Sequence, residues 1–370
     1  MINLRAGIWW FKEDILEIPG RTIAFCFFSL LFVFPTITSN DYLLGIIIHS
    51  LLFALLAASW DFLYGFTGQL NLGPALFWGA SAYTASLLSV HAKLCIWLTI
   101  PSGALAAATL GLITCLPALR LKGLFLGLVT LSLPLILTGF ILAFPAVTGG
   151  DIGIFGVAPM STNITYSYYV ILVIVLIVLL CLWKLTDLKS KFVRTGIILR
   201  AIREDEIAAR RAGINTTFYK MVAFAISGLA SGIAGSCYAH TMRVVGTSTL
   251  ALSFSFSVIV WSIFGGTGTI YGPVAGVFIL YPLVEILSFS PLGEEFRVVI
   301  QCLVLMVVLL FMPQGIATWT RDQIEQDCPR CKLVNYRRRK YCRACNAYLH
   351  RDQGKTNEVN SNEIGSTNDA

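Results

Sequence analysis

Four cysteines near the C-terminus have a spacing that suits a metal ion. Cys328 and Cys331 form one Cys-x-x-Cys pair, and Cys342 and Cys345 form a second pair after ten intervening residues. Each pair can supply two thiolates from one tight turn, and four thiolates complete the tetrahedral shell of structural Zn²⁺. The sequence therefore predicts a zinc site in a small β-hairpin ribbon over residues 317–350, which is too short to hold a core without the metal.

Other uses of the four sulfurs stay open. An iron site of the rubredoxin type has the same ligands. A pair of disulfides is disfavoured in a reducing cytoplasm, and no open coordination position points to catalytic zinc. The basic run YRRRK, Tyr336 to Lys340, lies inside the ribbon. For a ribbon tethered to a bilayer we expect it to meet anionic lipid head groups or an acidic partner, or only solvent, and we expect no nucleic-acid partner.

A charged stretch, LRAIREDEIAARRAGIN, stands in the middle of a chain that is only 13% charged. Within it, Glu206 and Arg210 have the i, i+4 spacing of an ion pair on a short helix. Ala208 and Ala209 leave one patch of that helix almost bare of side chain, and Gly213 supplies a C-terminal stop. Such a patch lets another protein approach the backbone closely, whereas the alternative is the solvated face of an ordinary loop.

Two glycine-rich segments interrupt the apolar pattern. They are GFTGQLNLGP at 65–74 and FGGTGTIYGP at 264–273, and each joins two apolar stretches. Irregular backbone inside a membrane is tolerated where protein or water covers it, and in transporters it often marks the path of the solute. Close helix packing is the alternative explanation. The candidate path residues are Thr67, Gly68, Gln69, Asn71, Thr267 and Gly268.

Long uncharged runs place these residues in a membrane protein. The mean hydropathy is +0.75 and 56% of the residues are hydrophobic. Runs such as YYVILVIVLIVLLCLW approach the roughly 20 residues that cross about 30 Å of hydrocarbon as a helix. The fold class is therefore all-α and polytopic, with the small ribbon added at the end. The ten predicted spans centre near Leu30, Phe53, Ala82, Ala106, Leu135, Ile174, Ile226, Ile259, Phe278 and Leu305.

The distribution of basic residues orients these spans. If the N-terminus is cytoplasmic, all but three of the 27 Lys and Arg residues fall on the cytoplasmic side. The exceptions are Lys93, Arg243 and Arg297. By the positive-inside rule this distribution predicts that both termini lie in the cytoplasm. The net charge of +7 therefore reflects membrane topology and not a nucleic-acid partner.

The sequence has no catalytic motif. The four histidines are scattered, and the chain has no nucleophile elbow, no HExxH and no P-loop, so we expect no catalysis.

The charged stretch and its surroundings resemble a known family. EIAARRAG is similar to the Glu-Ala-Ala signature of the coupling loop of ABC importer permeases, although Ile207 takes the place of the signature Glu. Further motifs in the same order include LLAASWDFLYGFTGQLNLGP, LRLKGLFLGLVTLSL, TGGDIGIFG, YAH, FGGTGTIYGPVAGVFIL and MPQGI. They resemble the branched-chain amino-acid permeases of the LivM type.

The resemblance implies a transmembrane subunit of an ABC importer in a bacterial or archaeal cytoplasmic membrane. Its partners would be ATPase subunits that dock on the charged stretch, a second related permease and an extracytoplasmic solute-binding protein. Glu206, Ala208, Ala209, Arg210 and Gly213 would form the ATPase contact. Asp151 would meet the binding protein, or else cap a short helix. The solute would be a branched-chain or related amino acid, with urea or a short amide as alternatives.

Two functions from other classes compete with the importer. An ion-coupled secondary transporter needs an ionisable group within the membrane, and only Asp61 and Glu285 qualify. A membrane-tethered zinc-ribbon adaptor would use the spans merely as an anchor. The expected layout is a cytoplasmic leader over 1–22, whose Trp9 and Trp10 suggest an interfacial anchor. Three ranges follow it: a permease domain over 23–316 that contains the coupling loop at 186–216, the ribbon over 317–350, and a polar tail over 351–370.

Overall fold

The computed structural model describes residues 19–38, 40–121, 123–186 and 195–287, together with individual residues between 299 and 349. The leader up to residue 18, the centre of the tenth predicted span and the tail over 351–370 lie outside the described residues. The chain divides into two compact units. One comprises residues 30–319 and holds almost all the helices. The other comprises residues 1–29 and 320–370.

Helices dominate the described residues. In chain order they are α1 Pro19–Ile37, α2 Asp41–Thr67, α3 Ala75–Val90, α4 Ile96–Ala118, α5 Leu124–Ala143, α6 Pro145–Thr148, α7 Ile164–Thr186, α8 Thr195–Glu204, α9 Glu206–Arg211, α10 Thr216–Met242, α11 Leu252–Gly265 and α12 Tyr271–Leu287. A 3₁₀ turn covers Thr247–Leu250, and the strands β1 Ile154–Phe155 and β2 Val244–Val245 pair antiparallel.

Five of these helices, α2, α4, α5, α7 and α10, are long and apolar enough to cross a membrane. The described parts of α1, α3, α11 and α12 are apolar but shorter. All predicted span centres except Leu305 lie within described helices. At 1.5 Å per residue, the 16 residues of α3 and the 14 of α11 fall short of about 30 Å. Both helices are short because each meets a glycine-rich break at one end: the first break precedes α3, and the second follows α11.

Helix α2 is the centre of the bundle. It packs against α7, α10, α11 and α12, and most of its residues are buried. Its start is capped by Asn40, whose side-chain oxygen accepts a hydrogen bond from the Tyr42 N–H at 3.0 Å. In its middle, Phe53 packs against aromatic rings from four other helices, namely Trp78, Tyr238, Phe254, Trp261 and Tyr281.

Helices α4 and α10 make a close contact through small residues. A Cβ atom added at Gly228 would lie 2.5 Å from the carbonyl oxygen of Ala107, and one added at Gly111 would lie 2.5 Å from that of Phe224. Any side chain at either position would force the two backbones apart. Helices associate in lipid through small-residue packing of this kind, because lipid is as apolar as the helix surface and supplies no hydrophobic driving force.

The strand pair marks one end of the bundle. Helix α10 has 27 residues, so it spans about 40 Å from Thr216 to Met242 and leads directly into β2. Close to that end, His240 Nδ1 donates to the carbonyl of Ala158 at 2.8 Å, and its Nε2 lies 2.7 Å from Thr99 Oγ1. The histidine of the YAH motif therefore ties α10 to α4 and to the segment before α7.

The smaller unit contains a second antiparallel pair, β3 Glu325–Asp327 with β4 Val334–Tyr336. An isolated bridge joins Tyr341 to Tyr348. The strands β3 and β4 flank the stretch of sequence that contains Cys328 and Cys331. Tyr341 and Tyr348 flank the stretch that contains Cys342 and Cys345.

Candidate coupling segment and translocation elements

The charged stretch folds as two helices joined by a cap. Helix α8 is amphipathic and buries Gly196, Leu199 and Ile202. Asp205 then ends α8 and begins α9, because its Oδ1 accepts hydrogen bonds from the N–H groups of Ile207 at 2.8 Å and Ala208 at 3.0 Å. This cap was not anticipated from the sequence, although an Asp directly before a short alanine-rich helix is the usual signal for it.

Glu206 is the hub of an ion-pair network. It lies 3.0 Å from Arg210 Nη2 across one turn, which confirms the i, i+4 pair expected from the spacing. Its other oxygen lies 2.8 Å from Lys220 Nζ, in the first turns of α10, where the lysine side chain is only 2% exposed. Glu206 thus fastens α9 to the bundle. The partner Lys220 was not predicted from the sequence, although a lone cation just inside an apolar span could have indicated it.

The two alanines of the signature face opposite ways. Ala209 is buried within this chain at 6% exposure, whereas Ala208 is exposed. The apolar side chains of Ile207 and, at the start of α10, Phe218 are more than half exposed. Gly213 has φ +83° and its N–H bonds to the Arg210 carbonyl at 3.1 Å, so it acts as the predicted helix stop. The surface that α9 offers to a partner is therefore formed by Ile207 and Ala208, and Ala209 serves internal packing.

The structure brings the two glycine-rich breaks into contact. Helix α2 ends at Gly68, whose φ of +70° is left-handed, and α11 ends before a turn in which Gly266 and Gly268 also have positive φ. Asp61, fully buried in α2, accepts a hydrogen bond from the Gly268 N–H at 2.8 Å. This hydrogen bond joins residues that are 207 positions apart in the chain.

Most candidate path residues have internal partners. Thr67 Oγ1 donates to the Leu63 carbonyl at 2.5 Å. Asn71 Oδ1 accepts from the Gly73 N–H at 2.9 Å, and the Asn71 carbonyl accepts from Trp60 Nε1 at 2.6 Å. Gln69 is buried, while Thr267 and Gly268 are half-buried. The structure therefore assigns Thr67 and Asn71 clear local roles in shaping the first break.

Asp151 lies on an exposed turn in the segment between α6 and β1. Its neighbour Ile152 is 77% exposed. A strand and not a helix follows, so the alternative role of Asp151 as a helix cap is wrong. Through β1 and β2, this turn belongs to the end of the bundle opposite to α9, since α10 runs from one to the other.

Two of the four C-terminal cysteines are among the described residues. Cys328 follows β3 directly and is fully buried, and its Sγ lies 3.5 Å from the Sγ of Cys345. A disulfide would need about 2.05 Å between these atoms, so Cys328 and Cys345 are not joined by one. Cys331 and Cys342 lie outside the described residues, as do most residues of the basic run YRRRK. Among described residues no group of three or more His, Cys, Asp or Glu side chains could hold a metal ion.

A bundle of apolar helices, broken at two glycine-rich loops and carrying a charged helical segment at one end, defines a multi-pass helical membrane protein. Comparison with known protein families identifies the family of this membrane protein. The family described as "Branched-chain amino acid transport system / permease component" matches residues 42–309. The chain belongs to this family. It is accordingly a transport subunit and not an enzyme, and ATP hydrolysis falls to a separate subunit.

Individual relatives are distant. The chain is 26% identical over 305 residues to the high-affinity branched-chain amino acid transport system permease protein LivM of Salmonella typhimurium, covering 75% of this chain and 70% of the relative. It is 28% identical over 293 residues to the probable branched-chain amino acid transport permease protein LivH of Methanocaldococcus jannaschii, covering 74% and 90%. The LivH protein of Escherichia coli is 23% identical over 285 residues, covering 71% and 90%. No solved structure matches the chain.

Proposed function

We propose that this chain passes a branched-chain or closely related amino acid across a bacterial or archaeal cytoplasmic membrane, with both termini in the cytoplasm. Its partners are ATPase subunits, a second permease of the same family and an extracytoplasmic binding protein. Family membership and the relatives' names support the transport of branched-chain amino acids. The specific supporting observation is α9, a short helix with an exposed apolar face that Glu206 and Lys220 fix to the bundle.

This geometry suits a docking helix. A partner that moves α9 must transmit force to the spans, and a buried ion pair to α10 is a stiff connection because breaking it leaves a charge without compensation. The exposed Ile207 and Ala208 offer a small apolar surface, and the N-terminal end of α9 carries the Asp205 cap. We place the ATPase contact on Ile207 and Ala208, with Arg210 at its edge.

Co-purification tests the docking site. The tagged chain is purified in detergent from its native host, and bound subunits are identified by mass spectrometry. We expect wild type to retain the ATPase and Ile207→Asp to lose it. Ile152→Asp, which changes an exposed apolar residue at the other end of the bundle, is the control and should retain it. A wild type that retains no ATPase would contradict the importer and favour the ion-coupled transporter or the adaptor.

Uptake by proteoliposomes containing the whole complex tests the solute. Labelled leucine, isoleucine and valine should be taken up in the presence of ATP and the binding protein. Urea and acetamide are the alternatives. Uptake of these alone would reassign the substrate, while leaving the permease assignment intact.

We further propose that the four C-terminal cysteines bind structural Zn²⁺. The approach of Cys328 and Cys345 to 3.5 Å supports this, because they come from different Cys-x-x-Cys pairs and thiolates that share one metal ion lie at about this separation. The pairing of β3 with β4 and the Tyr341–Tyr348 bridge also support it, since each would hold one pair in a turn. The candidate contacts of the ribbon's basic run are anionic lipid head groups, an acidic partner or solvent alone.

Metal analysis of the purified protein tests this site. We expect one zinc ion per chain in wild type and its loss in Cys328→Ser. Cys237→Ser changes a buried cysteine of α10 and should keep the metal. Iron in place of zinc would show a visible absorption band and would change the metal assignment. A metal-free protein in which Cys328, Cys331, Cys342 and Cys345 all react as thiols would refute the proposal.

A further inference from the structure

One side chain from the coupling segment reaches both glycine-rich breaks. Arg203 lies in the last turn of α8, two residues before the Asp205 cap of α9. Its Nη1 donates a hydrogen bond to the carbonyl of Gly65, near the C-terminal end of α2. The same guanidinium covers Gly268, because a Cβ atom added there would lie 3.4 Å from Arg203 Nη1.

Glycines on the opposing side let these groups approach closely. A Cβ atom at Gly68 would lie 3.3 Å from Arg203 Cγ, and one at Gly65 would lie 2.3 Å from Asp61 Oδ1 and 2.6 Å from the Gly268 nitrogen. A side chain at Gly65 would therefore clash with the carboxylate and with the second break, and one at Gly68 would press on the arginine stem.

Asp61 supplies the other half of this junction. Its Oδ1 holds the Gly268 N–H, and its Oδ2 is buried without a hydrogen-bond partner among the described residues. A buried carboxylate needs a nearby positive charge to offset its desolvation. Arg203 brings such a charge to the loop that Asp61 binds. Asp61 and Arg203 thus both lie beside the loop that forms the second break.

Helix α8 is itself firmly placed. One turn before Arg203, the guanidinium of Arg200 lies 5.2 Å from the centre of the Phe66 ring, within range of a cation–π contact. Leu199 and Ile202 are buried on the adjacent face of α8. Asp205 thus connects α9 to α8, and Arg203 connects α8 to the end of α2 and to the loop that follows α11.

We propose that Arg203 is a positioning residue that transmits movement of the coupling helix to both glycine-rich breaks, which Asp61 holds together. This inference rests on the proposed function and deepens it. Arginine suits the role because its planar fork can hold a carbonyl while its face and stem cover neighbouring glycines. Lysine offers a single point charge on a flexible stem and would do this less well.

The test is the number of solute molecules taken up per ATP hydrolysed by the complete reconstituted importer, supplied with loaded binding protein. In Arg203→Ala we expect an assembled complex that still hydrolyses ATP, with a transport ratio lower by about tenfold or more, as for the loss of one charge-assisted hydrogen bond. Arg203→Lys should fall between Arg203→Ala and wild type. Arg120→Ala, which removes an exposed cation after α4, should behave as wild type.

The outcomes separate this inference from the proposed function. A wild-type complex that transports, with Arg203→Ala transporting equally per ATP, overturns the inference alone. If Arg203→Ala fails to assemble, Arg203→Lys decides, because it keeps the charge: an unchanged ratio overturns the inference and a reduced one supports it. A wild type that binds no ATPase overturns both.

Discussion

The ion pair between Glu206 and Lys220 makes a sharp prediction about stability. Lys220 is 2% exposed and Glu206 is 15% exposed, so Glu206→Gln leaves an ammonium group buried with only a neutral neighbour. Breaking a fully buried pair in this way costs about 3–5 kcal/mol, and because Glu206 keeps some contact with solvent we expect about 2–3 kcal/mol. Part of the lost interaction is with Arg210, which is largely exposed and adds little.

A double variant tests whether Glu206 and Lys220 stabilise the protein as a pair. In Glu206→Gln with Lys220→Met, no charge is left buried, and apolar replacement of a buried pair is often close to neutral. We therefore expect the double variant to be more stable than either single variant. This non-additivity would measure the coupling of the two side chains.

The assay is thermal unfolding of the detergent-solubilised protein, followed by size-exclusion chromatography after heating. Glu206→Gln should lower the midpoint by roughly 5 °C or more. Glu204→Gln, an exposed carboxylate on the preceding turn, is the matched control and should leave the midpoint unchanged. Equal midpoints for wild type and Glu206→Gln, or a double variant less stable than both singles, would refute the reasoning.

Three further predictions concern packing and helix ends. Gly228→Leu should reduce the yield of monodisperse protein because its Cβ would meet the Ala107 carbonyl at 2.5 Å, whereas Gly139→Leu, with nothing within 4 Å, should not. Asp205→Ala should cost about 1 kcal/mol and speed amide exchange in the first turn of α9; unchanged exchange there would contradict its role as the cap. Gly213→Ala forces φ +83° on a residue with a Cβ and should lower the thermal midpoint by an amount equivalent to about 1–2 kcal/mol; an unaltered midpoint would argue against it.

The sequence by itself determined the class of the protein. Hydropathy is a local property, so the runs around Phe53, Leu135 and Ile174 could be recognised as spans without knowing their neighbours. The helix stop at Gly213 and the Glu206–Arg210 pair were also predictable, because both depend on residues within one or two turns. The motifs that resemble branched-chain amino-acid permeases were sufficient to anticipate the family.

Only the tertiary structure decided how these parts connect. Nothing local indicates that Glu206 turns inward to Lys220, that Ala209 is buried while Ala208 is exposed, or that Asp61 binds Gly268. Such contacts join residues from different helices, and they depend on the rotation of each helix about its axis and on how closely the backbones approach. Hydropathy constrains that rotation weakly, since lipid and protein interior are equally apolar. The packing of small residues sets it, and this appears only when all the helices are assembled.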